Sequence, residues 1–241
     1  MAILLHGGAT FLHIPKTGGS WVTKTLYENN LVKTSFSHKH ADMERVLNFS
    51  RHYCGNYIRQ SIKLKTNLQK EIENSFKFCF VRNPFQWYES YWRYACGVNW
   101  KNFTLNKASK QALPRRIWHP NHILHECKND DFNVFMENIL QRYPGYVTSM
   151  FSLYTPPQEI DFIGKTESLV DDLIYVLKGL DIKFDNNKIR NIAKINESYS
   201  TIEKPTWKGD IKEKIYYLEY PSLFRYGYLT NKYLESPTYI L

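Results

Sequence analysis

Residues 76–84 read Phe76-Lys-Phe-Cys-Phe-Val-Arg-Asn-Pro84. Apart from Lys77, the first six are apolar, the composition of a strand covered on both faces inside a parallel sheet. Arg82 then falls at the carboxyl end of that strand, and Pro84 suits the first turn of a helix running to about Cys96. In open α/β sheets ligands bind outside the carboxyl ends of the strands, so this order sets a guanidinium at a binding edge.

Upstream lies a second strand-to-helix passage, Phe11-Leu-His-Ile-Pro-Lys-Thr-Gly-Gly-Ser-Trp21. Ala9 to Ile14 reads as a strand, Pro15 to Ser20 as a glycine-containing turn, and Trp21 to Asn29 as a helix. Free backbone N–H groups and the helix dipole converge at such a turn and attract an anion. Gly18 and Gly19 allow close approach of the backbone; Lys16 adds a charge, and Thr17 and Ser20 add hydroxyls. A Walker A loop places its lysine after the second glycine, whereas Lys16 precedes the glycine pair. On its own the segment is either an anion loop or an ordinary glycine turn.

Working outward, Leu31 to Phe36 reads as a strand that runs into Ser37-His38-Lys39-His40 and a helix from Ala41 to about Leu47. A polar helical stretch spans roughly 56–74. Helix returns over Asp131 to Arg142, a short strand over Ile160 to Ile163, and a helix capped by Thr166 extends to Leu177. Lys208 to Leu229 carries a last helix and an aromatic close. Strands alternating with helices predict an α/β, P-loop-type three-layer fold with a central parallel sheet flanked by helices. One domain over 1–241 is expected. Residues 97–129 show no period and are expected to form a lid or an acceptor-binding insertion.

The 241 residues carry a net charge of +9, which favours anionic partners, yet no block of like charge suggests a nucleic-acid arm. Hydrophobic residues at 43% and charged residues at 23% are ordinary for a globular domain. The four cysteines form neither a CxxC pair nor a zinc-type set, and Cys79 reads as a buried small residue. No apolar run approaches the length of a membrane span, which sets the expected location in the cytoplasm, or in the Golgi lumen if an anchor precedes this chain.

With both passages in view, His13-Ile-Pro-Lys-Thr-Gly-Gly-Ser20 resembles the 5′-phosphosulfate loop of sulfotransferases that use 3′-phosphoadenosine 5′-phosphosulfate (PAPS). The resemblance is to the carbohydrate, Golgi-type, sulfotransferase family 2-like branch. It implies that Lys16, Thr17, Gly18, Gly19 and Ser20 bind the phosphosulfate, with Trp21 supporting the loop. Phe78-Cys-Phe-Val-Arg-Asn-Pro-Phe-Gln-Trp-Tyr-Glu-Ser-Tyr91 is similar to the second family signature, implying that Arg82 and Ser90 hold the 3′-phosphate. Asp161 to Leu169 and Tyr220 to Tyr228 are similar to later family segments, with Lys165 a candidate donor contact. The implied reaction moves a sulfuryl group from PAPS to a hydroxyl of a carbohydrate or small-molecule acceptor, leaving adenosine 3′,5′-bisphosphate and using no metal. The acceptor itself matches nothing in the sequence.

In-line transfer to a hydroxyl needs a proton acceptor, and histidine suits neutral pH. The turn after the second strand supplies His38 and His40, of which His40 directly precedes a helix and is the favoured base. His38, His119, His122, His125 and Glu44 remain the alternatives. Two other readings stay open: a P-loop nucleotide kinase or phosphotransferase, and a catalytically inactive binder of PAPS or anionic glycans.

Overall fold

The structure, a computed structural model, describes residues 2–48, 62–100, 119–193 and 202–229. They divide into two compact units: Met1–Arg82 with Phe151–Ser200, and Asn83–Met150 with Thr201–Leu241.

The first unit contains the sheet. Its strands are β1 (Ala2–Leu5), β2 (Ala9–Leu12), β3 (Val32–Phe36), β4 (Phe76–Val81) and β5 (Phe162–Lys165), in the spatial order β3-β1-β2-β4-β5. β2, β4 and β5 run parallel, with Phe11 opposite Phe78 and Val81 opposite Lys165. β1 runs antiparallel to both β2 and β3. The parallel centre follows the expectation; β1 is an addition to it, because Ala2-Ile-Leu-Leu5 reads in sequence only as a short apolar run. All four of its residues are buried, which gives the run its reason.

Alternation sorts the strand side chains onto two faces. Ile3, Leu5, Phe11, Phe78 and Phe80 meet Trp21, Val22 and Leu26 of α1 (Gly19–Glu28) on one of them. The same face receives Leu173, Ile174 and Leu177 of α8 (Leu169–Gly179) and Ile189 of α9 (Asn186–Arg190). Cys79 and Val81 point the other way and are equally buried, as a doubly covered strand requires. α2 (Met43–Leu47) starts from Asp42, whose carboxylate accepts from the backbone N–H of Arg45 at 3.0 Å. α3 (Ile62–Glu73) leads into β4; the part of the expected helix before residue 62 lies outside the described residues. Lys77, the one polar residue in β4, donates through Nζ to the carbonyls of Glu73 and Ser75 at 2.7 and 2.9 Å.

One expected cap is different. Thr166 opens a 3₁₀ turn, Thr166–Ser168, and its hydroxyl donates to the carbonyl of Val81 at 2.9 Å. Helix α8 begins three residues later, so Thr166 joins β5 to β4 instead of capping a helix.

The second unit is helical. α4 (Pro84–Gly97) starts at Asn83, which accepts from the N–H of Phe85, with Pro84 at the first helical position. Its inner face stacks Trp87 on Tyr91, rings parallel within 3° and 5.3 Å apart. α5 (Pro120–Ile123), α6 (Phe132–Arg142), α7 (Tyr146–Ser152) and α10 (Gly209–Arg225) complete the unit, α7 ending at the boundary. Glu219 on α10 is fully buried and accepts from the Tyr88 hydroxyl, the Val147 and Thr148 amides and the Thr148 hydroxyl. Burial pushes its carboxyl up, and those four donors pull it back.

Of the 97–129 stretch, residues 101–118 lie outside the described set, and Arg115 and Arg116 with them. The rest is fastened. Tyr91 donates to the carbonyl of Pro120 at 2.9 Å, Trp92 to that of Asn129 at 3.0 Å, and Asn138 to that of Cys127 at 3.3 Å. Among the described residues no helix is long and apolar enough to cross a membrane.

Candidate active site

Three chain reversals bring the site together at the carboxyl end of β2 and β4. The first is the loop after β2. Lys16 has φ 64°, a left-handed conformation that costs a non-glycine residue roughly 1–3 kcal/mol and is found where function demands it. Gly18 follows at φ 80° and is the N-cap of α1; the carbonyl of Gly18 accepts from Trp21 and Val22. The first amides of α1 have no side-chain cap, the arrangement in which a helix N-terminus is open to water or an anion.

The loop has no room for side chains at its glycines. A Cβ on Gly18 would stand 2.6 Å from Leu169 Cδ2, and one on Gly19 2.1 Å from His13 Cδ2. Thr17 is buried, and its hydroxyl donates to the carbonyl of Ile14 at 3.0 Å, so its side chain staples the loop to its own strand. Ser20 stands half-buried in the first turn of α1. Trp21 is buried and donates through Nε1 to the carbonyl of Ile192 at 3.3 Å, anchoring the helix that the loop feeds.

The second reversal is the end of β4. Arg82 reaches back to the loop, its Nη1 donating to the carbonyl of Lys16 at 3.5 Å. Burial is the main force that lowers the Lys16 ammonium, down to about 7; the guanidinium of Arg82 and then the ammonium of Lys39 add to it. Every one of these influences disfavours a charge on Lys16, and an opposite charge beside it would favour the ammonium again. Two cations beside the uncapped first turn of α1 fit an anionic group.

The third reversal follows β3. Ser37 takes φ 56°, and the N–H of Ala41 closes a turn on the carbonyl of His38 at 3.1 Å. The turn delivers His40 to the strand that leads into the loop: its Nδ1 lies 3.0 Å from the carbonyl oxygen of His13. A carbonyl only accepts, so Nδ1 carries the proton and the lone pair of the neutral ring sits on Nε2. The two imidazoles meet edge to face at 4.7 Å. Burial lowers His40 to about 4, with the His13 hydrogen bond opposing and Lys39 and His38 assisting. Burial also holds His13 well below its ordinary value, followed by His40 and Lys39.

Lys16, Thr17, Gly18, Gly19, Ser20, Trp21, His38, His40 and Arg82 therefore share the first unit. Ser90 is buried in the second turn of α4, in the second unit. Of the alternative bases, Glu44 is exposed in the first turn of α2, and His119 caps α5 by accepting from the N–H of Asn121 at 3.2 Å. Two contributors had no signature in the sequence. Leu169, which covers Gly18, lies about 150 residues along the chain from it, and Tyr154 donates to the carbonyl of His40 at 3.0 Å from 114 residues away.

A family model described as the sulfotransferase family matches residues 8–226. Nothing matches among the curated proteins or among the solved structures.

Proposed function

The chain belongs to the sulfotransferase family, and from that membership we propose that it moves the sulfuryl group of PAPS to a hydroxyl of a carbohydrate acceptor, with His40 as general base. The observation that carries this reading is the bond from His40 Nδ1 to the His13 carbonyl, which ties the proton acceptor to the strand feeding the phosphosulfate loop. We propose further that the two units act as one sulfotransferase domain.

When bound, the donor supplies a sulfuryl group on a phosphate leaving group. Lys16 and the amides of Gly18, Gly19 and Ser20 hold the 5′-phosphosulfate, and Lys16 offsets negative charge at the bridging oxygen. Arg82 grips the 3′-phosphate by charge-assisted bonds and Ser90 is its hydroxyl partner. Thr17 and Trp21 keep the loop in shape. Neutral His40 takes the acceptor proton at Nε2 and then holds it as an imidazolium. A neutral imidazole is present at pH 7 because burial disfavours the charged form.

Calorimetric titration with adenosine 3′,5′-bisphosphate tests the donor site, run beside AMP and beside Arg82→Ala. Tight bisphosphate binding that needs no added metal is expected, with AMP and Arg82→Ala each weaker by roughly a hundredfold, the scale of a lost charge-assisted contact. A preference for ATP with Mg²⁺ would return the phosphotransferase reading to the front.

A further inference from the structure

The hydroxyl of Tyr154, 3.0 Å from the carbonyl oxygen of His40, belongs to a side chain with no solvent exposure. Tyr154 lies just past α7, where its N–H closes a turn on the carbonyl of Phe151 at 3.0 Å. One residue earlier, the carbonyl of Leu153 accepts from the N–H of Met43, the first residue of α2, at 3.0 Å. Two neighbouring residues thus grip the chain on both sides of Ala41 and Asp42. At the other end of His40, Nδ1 donates to His13. The His13 ring in turn lies against the Cα of Gly19, the first residue of α1. A continuous set of contacts runs from Tyr154 through His40 and His13 to the phosphosulfate loop.

We infer that Tyr154 is a positioning residue for the base: its hydroxyl holds the His40 backbone so that the ring stays on the His13 carbonyl with Nε2 as the proton acceptor. This rests on the assignment of His40 as base and adds the device that sets its tautomer. A neutral histidine in water prefers its proton on Nε2, the wrong nitrogen for this task. The His13 carbonyl reverses that preference only while the ring remains beside it. A phenylalanine would fill the same buried slot but lacks the hydroxyl that donates to the carbonyl of His40.

Tyr154→Phe in the full chain separates positioning from packing. At saturating PAPS, with a mixture of soluble chondroitin and heparan chains as acceptor, release of adenosine 3′,5′-bisphosphate should slow about tenfold, the scale of one lost neutral hydrogen bond. The affinity for the bisphosphate should stay within about twofold, since no donor contact is removed. In protein carrying ¹⁵N-histidine, with the His40 signals identified by their loss in His40→Ala, the ring should shift from the Nδ1–H form toward Nε2–H. An unchanged tautomer in Tyr154→Phe would overturn the inference, as would unchanged turnover per folded molecule accompanied only by a lower melting temperature. Full turnover in His40→Ala is a different failure: it removes the base assignment, and this role with it, while the calorimetric test of the donor site stands apart.

Discussion

Arg82 donates through Nη1 to the carbonyl oxygen of Lys16, so one cation holds the backbone of another. The contact is one reason a lysine persists at φ 64° in this loop. It also puts two positive groups together before any ligand arrives, and burial with Arg82 beside it brings Lys16 to about 7.

Donor binding is therefore expected to take up a proton. Above about pH 7 the free site holds Lys16 largely neutral, and a phosphosulfate or bisphosphate restores the ammonium. Titrating adenosine 3′,5′-bisphosphate at about pH 8.5 in buffers of different ionisation enthalpy should reveal uptake approaching one proton per site, by the linkage of binding to protonation. Lys16→Arg keeps its charge at that pH and should take up close to none. Equal uptake in both proteins would assign the proton elsewhere.

The role proposed for His40 should be visible in turnover alone. His40→Ala is expected to keep bisphosphate affinity and to lower turnover by roughly a hundredfold or more, the low end for a general base. His38, whose carbonyl closes the turn on Ala41, should tolerate alanine with turnover reduced only several-fold, because backbone makes that contact. Steady-state rates of the two variants, side by side, decide between the histidines.

Acid should destabilise the first unit through the same pair of rings. His13 and His40 titrate near 6.5 when unfolded, and folding lowers His40 to about 4 and His13 in the same direction. Between those limits the unfolded chain binds more protons, so the stability present above pH 6.5 drains away as pH falls toward 4. Urea unfolding across that window should show it, and His13→Phe, which keeps an aromatic ring but cannot titrate, should flatten the slope. An unchanged slope would move the acid-sensitive groups elsewhere.

Gly19→Ala should fail on contact rather than on conformation. Its Cβ would meet the His13 ring at 2.1 Å, and an overpacked buried site typically costs about 1–3 kcal/mol. Combining it with His13→Ala removes the obstacle, so the double variant should recover part of the lost stability. Additive losses, read from thermal unfolding of the four proteins, would place the penalty in the backbone of α1.

Much of this architecture could be read from single stretches of chain. Phe76 to Val81 is apolar enough to reveal a doubly covered strand, and it spans the same six residues in the structure. The Lys16 to Ser20 loop announces itself through its glycine pair, because close backbone approach leaves few residue types to choose from. Local pattern failed where the reason for a residue lies far away in the chain. Thr166 looks like a cap by its position before a helix, but its hydroxyl serves Val81, 85 residues earlier. Ala2 to Leu5 alternates with nothing polar, since its strand is covered on both sides, and four residues give no period to recognise. Tyr154 is one of 18 tyrosines, and only the folded chain sets it beside His40.

The antiparallel strand β1 sits between β3, which ends in the His40 turn, and β2, which ends in the Lys16–Ser20 loop. Two neighbour spacings of about 4.8 Å therefore separate the strand carrying the His40 turn from the strand carrying the loop. β1 is a shim. Its register with β3 shifts between Leu4 and Leu5, where a local irregularity already interrupts the ladder. One further residue of slip there would carry the histidine turn along the sheet by about 3.3 Å and turn every β3 side chain to the opposite face. Such a slip would part His40 from the His13 carbonyl, so the contact between the two histidines depends on the register of a ladder in which neither of them lies.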